Sequence, residues 1–113
     1  MLRTIAALLV MSACAFGQQA SRYRSHISIC DRESGAVKEL FTAETIFEAP
    51  NWSHDGKFLL ANSGGSLYRI PLDNPVPEKL DVGSDVRCNN DHGYSFDGKR
   101  LVVSCTSAGG CGS

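Results

Sequence analysis

The chain has 113 residues, a formal net charge of −1 and 42% hydrophobic residues. That charge balance gives no reason to expect nucleic acid or an anionic membrane surface as a partner. The apolar content is that of an ordinary globular chain.

The N-terminus reads as an export signal. Met1-Leu2-Arg3 supplies one positive charge, and Ile5 to Met11 form an apolar core too short to span a bilayer as a mature helix. Small residues follow at Ala13, Ala15 and Gly17, so cleavage after Ala15 or Gly17 fits, and polar Gln18-Gln19 argues against a core helix. Met11-Ser12-Ala13-Cys14 is also similar to a bacterial lipobox, with Met where Leu is usual. The expectation is a signal peptide over 1–17, a linker over 18–24 and a periplasmic or secreted product, with an outer-membrane lipoprotein anchored through Cys14 as the alternative. No stable membrane span is expected.

Beyond the linker the pattern is that of short strands. Ile27-Ser28-Ile29 alternates, Asp31 to Gly35 make a turn, and Val37 to Leu40 return. Trp52-Ser53-His54-Asp55-Gly56-Lys57 then leads into apolar Phe58-Leu59-Leu60-Ala61, and Asn62-Ser63-Gly64-Gly65 reads as a further hairpin turn. Leu67 to Ile70, a loop from Pro71 to Pro77, and Glu78-Lys79-Leu80 repeat the first strand pair at an offset of 40. Tyr94-Ser95-Phe96-Asp97-Gly98-Lys99 and Leu101-Val102-Val103 repeat the Trp52 segment at an offset of 42. Asp55-Gly56 and Asp97-Gly98 signal tight hairpins, because Gly accepts positive φ without steric cost and Asp tolerates it. Ser53 and Ser95 are placed to bond the turn backbone. Trp52 and Tyr94 are placed to fill the space between neighbouring sheets.

A period of 40–45 residues with four short strands per unit points to propeller blades. The expected division is one blade over 25–65 and a second, incomplete one over 66–113. Propellers close with four to eight blades, and two alone leave exposed edges. The remaining blades are therefore expected from a longer chain, with association to finish the ring as the alternative.

Ala49-Pro50-Asn51-Trp52-Ser53-His54-Asp55-Gly56-Lys57 and Asn89 to Lys99 resemble the repeat of TolB-like β-propellers, in which Pro usually stands at the places of His54 and Phe96. The resemblance covers roughly residues 25–107. It implies an all-β fold and a rigid, non-catalytic scaffold of the bacterial envelope. Such a scaffold presents loops to an envelope protein partner, or a small ligand at the propeller mouth, and needs no cofactor. The repeat specifies a fold far better than a function.

One cluster invites a functional reading: Asn89-Asn90-Asp91-His92, expected in the connection that leads into an inner strand. His92 offers a base near neutral pH or a metal nitrogen, Asp91 can orient it, and the two amides suit polar ligands. The matching position in the first copy is Pro50, so His92 is no repeated structural necessity. The alternative function is a metal-dependent, carbohydrate-active enzyme. Oligogalacturonate lyase-like propellers hold a divalent metal through several histidines, and His92 is the one residue that matches. His26 and His54 are weaker candidates. Cys30, Cys88, Cys105 and Cys111 leave three disulfide connectivities open, among them a local Cys105–Cys111 bridge, and buried or free thiols are the other reading.

Overall fold

The structure, a computed structural model, describes residues 23–107. The expected signal segment 1–17 with Cys14, most of the linker, and the tail with Cys111 lie outside the described residues. Every regular element described is a strand: β1 (Ser25–Cys30), β2 (Val37–Ala43), β3 (Glu48–Trp52), β4 (Phe58–Ser63), β5 (Ser66–Pro71), β6 (Glu78–Lys79), β7 (Val86–Tyr94) and β8 (Leu101–Ser107). The fold is all-β, as expected from the repeat.

The strands form three antiparallel sheets: β1-β2, then β3-β4-β5-β6, then β7-β8. The central sheet is one four-stranded blade. The sheets group the strands differently from the expected units 25–65 and 66–113. Residues 65 and 66 lie at the two-residue hairpin that joins β4 to β5, and Ser63 pairs with Ser66 across it. The repeat boundaries and the sheet boundaries thus fall at different points of the chain. A sequence repeat can be cut at any point, whereas a sheet ends only where hydrogen bonding ends. By repeat position β1-β2 matches β5-β6, and β7-β8 matches β3-β4. The described residues thus hold the outer half of one blade, a whole blade, and the inner half of the next.

Alternation along β4 explains how the sheets stack. Successive side chains of a strand point to opposite faces. Leu59 and Ala61 pack with Ile27 and Ile70, flanked by Leu40, Phe41, Phe47 and Leu72, against the β1-β2 side. Leu60 packs with Leu67 and Cys88, flanked by Val86, Tyr94, Leu101 and Cys105, against the β7-β8 side. Leu60, Leu67 and Ile70 are fully buried. A strand covered on both faces needs a continuous apolar run, and Phe58-Leu59-Leu60-Ala61 supplies it. The outer strand β6 has two residues and is preceded by Pro75 and Pro77, which blunts the blade's edge. Arg69 reaches across from β5 to Glu78 at 3.1 Å.

The two Asp-Gly turns are built alike. Ser53 donates its hydroxyl to Asp55 Oδ1 (2.6 Å) and accepts from the N–H groups of Lys57 and Phe58 (both 3.1 Å). Ser95 donates to Asp97 Oδ1 (2.5 Å) and accepts from the Arg100 N–H (3.0 Å). Gly56 and Gly98 take φ of 70° and 68° and donate to the carbonyls of Ser53 and Ser95. The loops are four residues long, closed by Ser53–Phe58 and Ser95–Arg100 backbone bonds, rather than two-residue turns. Only the Gly of each Asp-Gly pair has positive φ; the Asp serves through its carboxylate. The serine hydroxyl and then the backbone N–H of the following lysine hold each carboxyl below its usual pKa range. The Asp31 carboxyl is lowered in the same way, by the Ser34 hydroxyl first.

Tyr94 fills the space between sheets as expected, meeting Phe58 edge-on with ring centres 5.9 Å apart. Arg69 lies over the other partner of that pair, 4.6 Å from the Phe58 ring centre. Trp52 does not behave like Tyr94 and is 53% exposed. Among the described residues, no strand equivalent to β4 stands before β1 to bring it a counterpart of Phe58. Cys105 is bonded to Cys88, directly opposite it on β7, and not to Cys111; Cys30 is free and exposed. Sequence separation misled here because a cross-strand pair is set by register.

Candidate functional site

The inner strands β3 and β7 share one departure from regular pairing. Trp52 pairs with Leu59 and Asn51 with Leu60; Tyr94 pairs with Leu101 and Gly93 with Val102, 42 residues on in every case. Upstream of these pairs both ladders slip. In β3 the slip lies between Glu48 and Asn51, where Ala49 takes φ of 50°; in β7 it lies between Cys88 and His92. β-bulges re-aim side chains and are over-represented beside binding sites.

The candidate cluster therefore lies inside β7, not in a connection before the inner strand, and the bulge divides it. Asn89 and Asn90 are exposed. Asn89 donates its amide to Ser104 Oγ (3.1 Å) on β8 and accepts from the Asp91 N–H (2.9 Å), which closes the bulge. Asp91 is exposed. His92 turns instead towards the central blade. The Asn51 amide nitrogen lies 3.2 Å from His92 Nδ1 and 3.2 Å from its carbonyl oxygen. For that amide to donate to the ring, Nδ1 must accept, so the neutral imidazole carries its proton on Nε2. Nε2 is buried without a partner. Burial pushes the His92 pKa below its usual range, against the pull of the Asp91 carboxylate. His92 is thus a clasp between blades. Among the described residues, no group of three or more His, Cys, Asp or Glu is placed to hold a metal ion. His26 pairs with Glu39 at 2.7 Å across β1-β2, and His54 is exposed beside Gly98.

Asn89 and Asn90 line a cleft of about 770 Å³. Its walls are the β2–β3 connection (Glu44 to Ile46), the β4–β5 hairpin (Asn62 to Gly65) and the start of β7 with Arg87. The hairpin is legible from its sequence: Gly64 and Gly65 both take positive φ, 57° and 83°, as a two-residue turn of this hand requires. The Gly65 carbonyl accepts the Cys88 N–H at 2.8 Å, tying the turn to β7. A Cβ on Gly65 would stand 3.2 Å from Arg87 Cζ, so the guanidinium lies close beside this turn. Arg87 and Asn62 carry no signal in the repeat and were missed by sequence reasoning. The one hint was an Asn ending the otherwise apolar run of β4.

Stacked antiparallel sheets, repeated inner-strand bulges and a cleft between blades define a chain of propeller blades. Comparison with known proteins agrees. The solved structure of a "putative TolB" from Agrobacterium tumefaciens superposes with a TM-score of 0.68 at 47% identity, over 71% of this chain and 29% of that one. An uncharacterized protein of Agrobacterium fabrum is 48% identical over 82 residues, covering 72% of this chain and 28% of that protein. The chain thus spans less than a third of the length of each. No family model matches.

Proposed function

We infer that this chain is part of an exported TolB-like propeller that serves as a non-catalytic binding scaffold in the bacterial envelope. Its partner in this reading is an envelope protein, or a small ligand at the mouth of the ring, and it uses no cofactor. The observation that carries this is the match to the Agrobacterium tumefaciens structure at 47% identity, well above the level at which likeness speaks for fold alone. The cleft between blades, lined by Asn62, Arg87, Asn89 and Asn90, supports a binding role. Among the described residues no helix is long and apolar enough to cross a membrane. The metal-dependent lyase alternative gains no support from either relative.

The test is made on the gene product in its own cell. Fractionation should recover it from the periplasm or outer membrane, with a mature N-terminus beginning after Ala15 or Gly17, or at an acylated Cys14, by mass spectrometry. Crosslinking in intact cells should join it to a defined envelope protein. A cytoplasmic product with an intact N-terminus would overturn the reading.

A further inference from the structure

The two half-blades leave two strand edges open, and the repeat shows what each edge fits. Among the described residues β1 bonds only to β2, and β8 only to β7. By repeat position β8 is the later copy of β4, and β1 is the earlier copy of β5. In the whole blade β4 and β5 are bonded to each other. The open edge of β8 is therefore the edge that β4 gives to β5, and the open edge of β1 is the edge that β5 gives to β4. The equivalence holds residue by residue. Tyr68 and Arg69 pair with Lys79 and Glu78, and 40 residues earlier Ser28 and Ile29 pair with Glu39 and Lys38. The blade's outer edge at β6 is blunted, whereas neither β1 nor residues 101–105 hold a proline, a lysine or a carboxylate. An open edge without such guards is a pairing site.

The two edges lie on opposite sides of the central blade, so they meet between copies and not within one. In the β4–β5 register Leu59 pairs with Ile70, Leu60 with Arg69 and Ala61 with Tyr68. Carried over, that register sets Leu101 opposite the partner's Cys30, Val102 opposite the partner's Ile29 and Val103 opposite the partner's Ser28. The same transfer covers three exposed side chains. Val102 is 70% exposed and stands where Leu60 is fully buried. Phe96 is fully exposed and stands where His54 lies beside Gly98 of the next blade, which brings it to the partner's Gly56. Trp52 is 53% exposed and is the counterpart of Tyr94, whose ring meets Phe58. Arg100 holds the place of Phe58, a residue type that stacks on an indole. Exposed apolar side chains that converge on one surface mark an interaction site.

We propose that copies of this chain join head to tail, β8 of one annealing to β1 of the next, so that two half-blades complete one four-stranded blade. Strand addition at an open edge supplies backbone hydrogen bonds, and the stacked faces supply apolar burial. Each copy then contributes one whole blade and two halves. A ring of four to eight blades therefore closes with about two to four copies. This goes beyond the scaffold reading and stands or falls without reference to where in the cell the chain works.

Sedimentation velocity of the purified chain over a concentration series should show a monomer converting to a closed species of about two to four copies. Val102→Lys should weaken that association about tenfold or more, because it carries a charge between the joined sheets. Phe96→Ser should weaken it by less. Both residues are exposed in the single copy, so in dilute solution the variants should match the parent by circular dichroism. Leu101→Cys reads the register. Mild oxidation should link its thiol to the partner's Cys30, which is free and exposed, as mass spectrometry of the linked peptides will show. Val102→Cys lies one residue along, on the other face of β8, and should not form that link. A chain that stays monomeric overturns the proposal and assigns both edges to strands of a longer chain. Association that Val102→Lys leaves intact overturns it too. So does a link between two copies of the Leu101→Cys site in place of Cys30, which would mark a symmetric β8–β8 dimer.

Discussion

The hairpins β3-β4 and β7-β8 are two copies of one motif, and they differ in an instructive way. Their turns share Ser, Asp and Gly in identical roles, because a four-residue loop with one positive-φ position is a local solution that needs no neighbour. Their inner strands diverge. Where β3 reads Ala49-Pro50-Asn51, β7 reads Asp91-His92-Gly93, with a larger bulge and a disulfide. The turn sets the hairpin, and the inner strand is where one blade becomes unlike another.

Burial gives the sharpest contrast. Leu60 and Val102 occupy equivalent places, but Leu60 is fully buried between sheets and Val102 is 70% exposed. Leu60→Ala should cost about 2–5 kcal/mol in urea unfolding, and Val102→Ala about 0.5 kcal/mol or less. Similar losses at both sites would mean that β8 is covered on its outer face in solution.

The Cys88–Cys105 bond exists in the second copy only; Glu48 and Asn62 form the corresponding β3-β4 pair nearest it. Reduction should cost about 3 kcal/mol for a loop of this size. In hydrogen exchange, protection should fall in β7-β8 and hold in β4-β5. Uniform loss would show that the copies unfold as one.

Backbone strain should treat the copies alike. Gly56→Val and Gly98→Val each place a branched side chain at positive φ and should cost about 1–2 kcal/mol. A Gly98→Val protein that melts unchanged would contradict the turn assignment. Ser53→Ala and Ser95→Ala separate them again. Ser53 is buried and makes three hydroxyl bonds, so its loss should approach 1 kcal/mol or more, with less for the more exposed Ser95.

The smallest effect is that of pH. Asp31, Asp55 and Asp97 have lowered pKa values in the fold, so their stabilisation is present above the unfolded value near pH 4 and is lost as pH falls through the folded values. His92 is also lowered, so the unfolded chain protonates first and a further loss begins as pH drops below about 6.5. His92→Gln should flatten melting temperature between pH 7 and 5, and Asp55→Asn with Asp97→Asn should flatten it below pH 5.

Much of the fold was legible because repeat and turn signals are local. The strand positions, both Asp-Gly turns, the Gly64-Gly65 hairpin and the blade period all follow from neighbouring residues. What stayed hidden depends on register and stacking. The Cys88–Cys105 pair, the burial of Asn62, the meeting of Arg87 with Gly65 and the Asn51–His92 clasp each join residues that no spacing rule connects. The candidate cluster shows the same limit: its residue types were visible, but the bulge that sends Asn89 and His92 to different neighbours was not.

The offset between repeat and sheet has an evolutionary corollary. A tandem copy inserted at the 65/66 seam arrives as two unfinished halves, each of which completes itself only by annealing to chain already present. Growth by duplication at that seam therefore interlaces old and new blades like shingles, and no newly added unit can peel away as a separate body.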